Sequence, residues 1–259
     1  MTTLQSLLDD VDLAVDEIVK LEQELVRIPT VNTGFMPTGN ETKAAKFCQD
    51  WLSNEGIESE ILWRDPARGN VVATLPGDLP GTRLMFMSHT DVVPVEDSSK
   101  WRFDPFSATV SSGRVYGRGS SDCKALLTAQ LIAMSLLKRR SVQLRYGLRL
   151  VSGADEEHGG SWGFGWLAKN HPEALTSEFA VNEGGGIPVS NSGNLVYLLG
   201  IGEKGRLEVR IRFKGSSAHA SVPWTGTNAS YNLARALDKI EHYDPDRDTS
   251  LEIFDRLSI

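Results

Sequence analysis

Cysteine is almost absent: Cys48 and Cys123 are the only two in 259 residues. A disulfide framework is thereby excluded, and a reducing, cytoplasmic setting is expected. Nowhere does the chain run to the roughly 18 consecutive apolar residues that a membrane span requires. Positive charge is in deficit. The 27 Lys and Arg stand against 34 Asp and Glu, a formal net charge of −7, which argues against a nucleic-acid-binding or polybasic membrane surface. The opening segment, MTTLQSLLDDVDLAVDEIVK, is acidic and amphipathic, without the basic head and apolar centre of a signal peptide. Internal repeats, low-complexity tracts and long linkers are missing too. What remains is an ordinary globular composition, 40% hydrophobic and 24% charged, in a length that suits one large domain or two smaller ones.

Apolar periodicity supplies the elements. Val11, Val15, Ile18, Leu21, Leu25 and Ile28 fall on one helical face, so the spacing predicts a helix over about residues 5–28. A second helix, ETKAAKFCQDWLSNEG, stops at Gly56. The runs IESEILW, NVVATL, RLMFMS and LRYGLRLVSG read as strands. CKALLTAQLIAMSLL is apolar nearly all round and reads as a buried helix. Strands alternating with helices predict an α/β domain whose mostly parallel, mixed sheet is flanked by helices. Near residue 204 the pattern changes. In RLEVRIRF, Leu207, Val209, Ile211 and Phe213 alternate with charged residues, as in a strand with one wet face. A helix with Ala229, Leu233, Leu237 and Ile240 on one side follows from about Asn228. Residues 1–203 are therefore expected to form one domain, and residues 204–259 the start of a smaller α+β domain.

Five short stretches carry groups capable of metal or acid–base chemistry. His89 and Asp91 close an apolar strand in MFMSHTDVVP, where α/β sheets place ligand sites. A carboxylate two residues from a His can accept its second ring N–H, although a lone H-x-D is also an ordinary loop. Asp122 stands before the buried helix, where an N-cap is the plain alternative. Asp155, Glu156 and Glu157 form ADEEHGG after an apolar run. Glu183 precedes three glycines in AVNEGGG, and His219 sits in SSAHASVPWTGTNA. Each stretch alone admits a bland reading. Together they supply the nitrogen and oxygen donors, and a carboxylate to spare as base, that a two-metal hydrolytic site requires.

In SHTDVVP, WRFDPFSATVSSGRVYGRGSSDCK, ADEEHGGSWG, NEGGG, EKG and SSAHASVPWTGTNAS the sequence resembles the co-catalytic zinc amidohydrolases and exopeptidases. That family includes aminoacylase, acetylornithine deacetylase, succinyl-diaminopimelate desuccinylase, glutamate carboxypeptidase and the carboxypeptidase S-like enzymes. The stretches keep the family's order from about residue 85 to 230. The resemblance implies a zinc exopeptidase-like fold with a lid domain, and two Zn2+ per complete site, with Co2+ or Mn2+ able to substitute. It implies that His89 and Glu183 bind one metal, that Asp122 bridges, that Glu157 binds the second metal and that Asp91 orients His89. Hydrolysis of an amide in an N-acyl amino acid or small peptide would then use a metal-bridged water, with Glu156 as general base. His219 would stabilise the developing oxyanion, reaching a partner subunit's site in dimeric members, so a homodimer through the lid is implied. The Asp122–Cys123 peptide is expected to be cis. Ser88, Ala125 and Ala218 stand where the family commonly has Gly. The family's last His ligand to the second metal has no counterpart, since only His242 follows His219. The chain is thus expected to be the amino-terminal part of a member. A catalytically silent fragment, or a binding module with an incomplete second metal site, is the alternative.

Overall fold

The computed structural model describes residues 3–184, 187–191, 194–198, 209–246 and 250. They fall into two compact units, residues 1–199 and residues 200–259.

The first unit opens on two helices where the spacing predicts one, α1 (Leu4–Leu13) and α2 (Val15–Val26). They meet at Ala14, which ends the first and begins the second. The break divides the apolar stripe: Leu21 and Leu25 enter the core, while Val11 and Val15 remain exposed. Then come α3 (Thr42–Asn54), β1 (Ser59–Trp63), β2 (Gly69–Leu75) and β3 (Thr82–His89). A small hairpin of β4 (Thr109–Ser111) and β5 (Arg114–Tyr116) leads to α4 (Lys124–Arg139), the buried helix anticipated from its all-round apolar composition. After it follow β6 (Gly147–Gly153), α5 (Phe164–Asn170), β7 (Phe179–Val181) and a second hairpin, β8 (Ile187–Asn191) with β9 (Asn194–Leu198).

The main sheet has five strands in the order β1-β2-β6-β3-β7. It is mixed: β3 pairs in parallel with β6 and β7, while β2 is antiparallel to both β1 and β6. Four strands therefore point one way and β2 alone opposes them. Successive side chains of a strand face opposite layers. Val71, Ala73, Leu148 and Leu150 accordingly meet Leu25, Leu52, Leu127 and Leu131 of α2, α3 and α4, while Val72, Met85 and Val151 meet Leu167 of α5 and Ala174 on the other side. A mixed sheet with helices on both faces follows from this alternation. No helix among the described residues is long and apolar enough to cross a membrane.

In the second unit, α6 (Ala229–Glu241) starts at Asn228, whose Oδ1 accepts the Ser230 amide at 2.9 Å. Leu233, Leu237 and Ile240 are exposed on it. The strand predicted over residues 207–213 is not found. Leu207 and Glu208 lie outside the described residues, and 209–213 carry no strand structure. Alternation marks a surface fit for pairing, but a strand forms only where a neighbour completes its ladder. The described residues of this unit offer only the isolated bridge Ser216–Thr227.

Candidate metal centre

Three parallel strands deliver the groups. β3 ends on His89, which lies beside Gly153 at the end of β6. Val181 at the end of β7 pairs with Phe86 of β3. The segments leaving these strands carry Asp91, Glu156 with Glu157, and Glu183, so all gather at the carboxyl edge of the parallel part of the sheet, the usual ligand position in α/β folds. Asp122 arrives from the other side, just before α4. It does not cap that helix. Cys123 occupies the N-cap position and makes no side-chain cap bond, and the Asp122–Cys123 peptide is cis.

His89 is buried and organises the centre. Its Nδ1 lies 3.0 Å from the Asp91 main-chain oxygen and 3.3 Å from Asp91 Oδ1. Acceptors on that side place a proton on Nδ1 and turn Nε2 outward. Nε2 faces three carboxylates: Asp122 Oδ1 at 2.9 Å, Glu183 Oε1 at 3.3 Å and Glu156 Oε2 at 3.7 Å. Ligand-capable atoms of His89, Asp122, Cys123 and Glu183 all lie within 4.8 Å of one another. Cys123 is the member that sequence reasoning missed. Its Sγ receives the His89 amide at 3.1 Å and donates to the His89 carbonyl at 3.4 Å, so the thiol ties the start of α4 to the end of β3.

The electrostatics call for a cation. Burial pulls the His89 pKa down, but the hydrogen bond to Asp91 and the contact with Cys123 outweigh it and raise the pKa well above the ordinary imidazole value. Burial, then the charge of Asp122, pushes the Glu157 carboxyl up. Burial, then Asp122 and Glu156, does the same to Glu183 against the pull of His89. Asp91 goes the other way. Burial would raise its pKa, yet hydrogen bonds from His89 and Asn32 hold it below the usual range. An imidazole whose Nε2 points into a set of crowded carboxylates could hold a metal ion.

Behind the centre lies a buried polar layer that the sequence did not reveal. Asn32 Nδ2 donates to Asp91 Oδ2 at 2.8 Å and to Asp155 Oδ1 at 3.0 Å. Asp155 also accepts from Arg68 Nη2 at 3.2 Å, and Arg68 forms two 2.7 Å bonds to Glu41. The amides of Glu156 and Glu157 donate to the two Asp91 oxygens at 3.0 and 3.2 Å. His219 belongs to the second unit, where it is exposed and its Nδ1 lies 2.8 Å from Ser221 Oγ.

A mixed α/β sheet whose strand ends bring together an oriented imidazole and several carboxylates is of the class that can hold a metal ion at the edge of its parallel strands. The description Peptidase family M20/M25/M40 matches residues 85–250, and the chain belongs to that family. It is 29% identical to an uncharacterised metallohydrolase of Methanocaldococcus jannaschii over 86% of this chain and 56% of the relative. It is 31% identical to a succinyl-diaminopimelate desuccinylase of Ehrlichia canis over 89% of this chain and 58% of the relative. Among solved structures, an M20 family metallo-carboxypeptidase of Sulfolobus solfataricus matches with a TM-score of 0.56 and 26% identity, covering 66% of this chain and 38% of that one. The chain spans about half the length of the curated relatives it matches.

Proposed function

We propose that the chain carries the metal-binding part of a hydrolase that cleaves an amide or peptide bond in an N-acyl amino acid or small peptide. The observation that carries this reading is His89: its Nδ1 is held by Asp91 while its Nε2 faces Asp122, Glu183 and Glu156. His89 and Glu183 would hold one zinc ion, Asp122 would be shared, and Glu157 would hold a second, with cobalt or manganese as substitutes. Bound there, the metals would polarise the scissile carbonyl and acidify a water. Glu156 takes the proton of the attacking water and passes it to the amine nitrogen as the C–N bond breaks. Glu156 suits this role because its carboxylate reaches the edge of the centre, and its main chain is anchored on Asp91. His219 donates toward the carbonyl oxygen as negative charge grows on it, reaching the partner subunit's centre in a lid-mediated homodimer. A cytoplasmic setting accords with the two buried, unpaired thiols.

The test is substitution with metal analysis. Glu156→Gln should keep its metal and lose roughly 10²–10⁴-fold in turnover of N-acyl amino acids. Native turnover in that variant would refute the base assignment. Glu157→Ala should lower metal content, leaving the His89 site filled. The second reading is a binding module without turnover. Two metals per chain with turnover support the enzyme; one or none without turnover supports the module.

A further inference from the structure

Asp155 is the acid of ADEEHGG to which neither metal binding nor proton transfer assigns a task. It is buried and takes up a left-handed conformation at φ 62°, one that Asp tolerates better than most residues. The turn this makes lets two consecutive amides, Glu156 and Glu157, meet the same Asp91 carboxylate. Asp155 itself is fully engaged: Oδ1 takes Asn32 and Arg68, and Oδ2 takes the Trp162 amide at 3.2 Å. Asn32 is engaged as completely, with Nδ2 shared between Asp91 and Asp155 and Oδ1 accepting the Gly34 amide at 3.0 Å. At the far end, Gly39 lies over the Arg68–Glu41 pair. A Cβ there would fall 2.3 Å from Glu41 Oε2 and 2.5 Å from Arg68 Nε, so the chain closes directly on the ion pair.

Stability does not explain such a layer. A buried ion pair costs several kcal/mol per charge in desolvation, and apolar replacement is often neutral or better. Here Arg68 pairs with two buried carboxylates, Glu41 and Asp155, and Asn32 joins a third, Asp91, to the layer. His89 and the buried Lys124 also feel the charge of Asp91, and the layer ends against His89.

We propose that Arg68 is a positioning residue: clamped by Glu41, it sets Asp155 and, through Asn32, fixes the Asp91 carboxylate that aligns both the His89 ring and the Glu156–Glu157 turn. Neither Arg68 nor Asn32 belongs to the group of side chains that could hold a metal, which is His89, Asp122, Cys123 and Glu183. This rests on the metal-hydrolase reading for its purpose, but its geometry can be tested without metal.

The variants are Arg68→Lys and Asn32→Ala in the full chain. Lysine keeps the charge but cannot bond Glu41 twice and Asp155 as well. In the metal-free protein, hydrogen exchange at the Glu156 and Glu157 amides should rise at least about tenfold, the loss expected when an anchoring hydrogen bond is released. The interior amides of β2 and β6 should keep their protection. Zinc affinity, measured by chelator competition, should fall roughly 10–100-fold, as for other groups that orient metal ligands. Unchanged exchange at Glu156 and Glu157 overturns the proposal. So does an equal loss of protection throughout β2 and β6, or failure of both variants to fold, since the role would then be structural only. If the two amides loosen as expected but the wild-type chain takes up no zinc, the positioning stands and the hydrolase reading falls.

Discussion

His89 is asked to be two things. In the metal-free protein the acceptors around it favour the imidazolium, and its pKa stands above the ordinary value of about 6.5. A raised base stabilises the folded state below that ordinary value, and the contribution disappears as pH climbs through the folded pKa. Glu157 and Glu183, raised from 4.5, act in the same direction. They bind protons more tightly in the folded chain, and keeping them ionised costs stability as pH rises above 4.5. A metal ligand must be an unprotonated imidazole or a carboxylate, so metal and protons compete for all three groups. Metal uptake should therefore release protons, and affinity should increase with pH. Calorimetric titration of zinc in buffers of different ionisation enthalpy measures the release directly. A larger release at pH 6 than at pH 8 is expected for the carboxyl share, and heats independent of buffer would refute the assignment. His89→Ala should abolish most of the release together with the binding.

At the scale of elements, the turn that follows β6 is the one on which the centre depends most. Gly163, at the start of α5, lies against it: a Cβ there would fall 1.8 Å from the Ala154 carbonyl oxygen. That oxygen belongs to the residue before Asp155, so relief of the clash has to move the corner that carries Glu156 and Glu157. Gly163→Ala should cost about 1–3 kcal/mol in denaturant unfolding, as overpacking does elsewhere, and should weaken metal binding as well. Stability lost with metal affinity intact would show that the turn yields elsewhere. The main elements were legible because each carries a long apolar run or face that the core buries: α3 on one side, α4 nearly all round, β2 and β6 almost continuously. The break at Ala14 was not, because a stripe of valines reads alike whether the core covers it or not. Nor was the absent strand at residues 209–213, since pairing is a property of two segments. His89, Asp122 and Glu183 could be picked out because each closes or opens an apolar element beside glycine or turn residues. Asn32, Glu41 and Arg68 gave no such sign. They meet partners 27 to 123 residues away, and in sequence Glu41 looks like an ordinary acid at a helix start.

At the scale of the molecule, the sheet of the first unit ends at β7 among the described residues. β7 pairs with β3 along one edge, and no strand among the described residues pairs with its other edge. Its Phe179 is 60% exposed and Val181 45% exposed. Exposed strands of this kind invite pairing with another chain unless charge, proline or a bulge blunts them, and β7 has none of these within Phe179–Val181. The second unit, taken by itself, leaves Leu233, Leu237 and Ile240 of α6 exposed as well. Covering such side chains is favourable in proportion to the apolar area removed from water and is opposed by the entropy of bringing two chains together. The chain on its own should therefore self-associate. Val181→Lys, placing a charge on the open edge, should suppress the part that arises at the sheet, and Leu237→Lys the part that arises at α6. Sedimentation velocity over a hundredfold concentration range distinguishes the two. A wild-type chain that stays a single monomeric species throughout would show these faces to be too small or too polar to matter. Suppression by Leu237→Lys alone would locate the attraction in the second unit and leave the sheet edge inert.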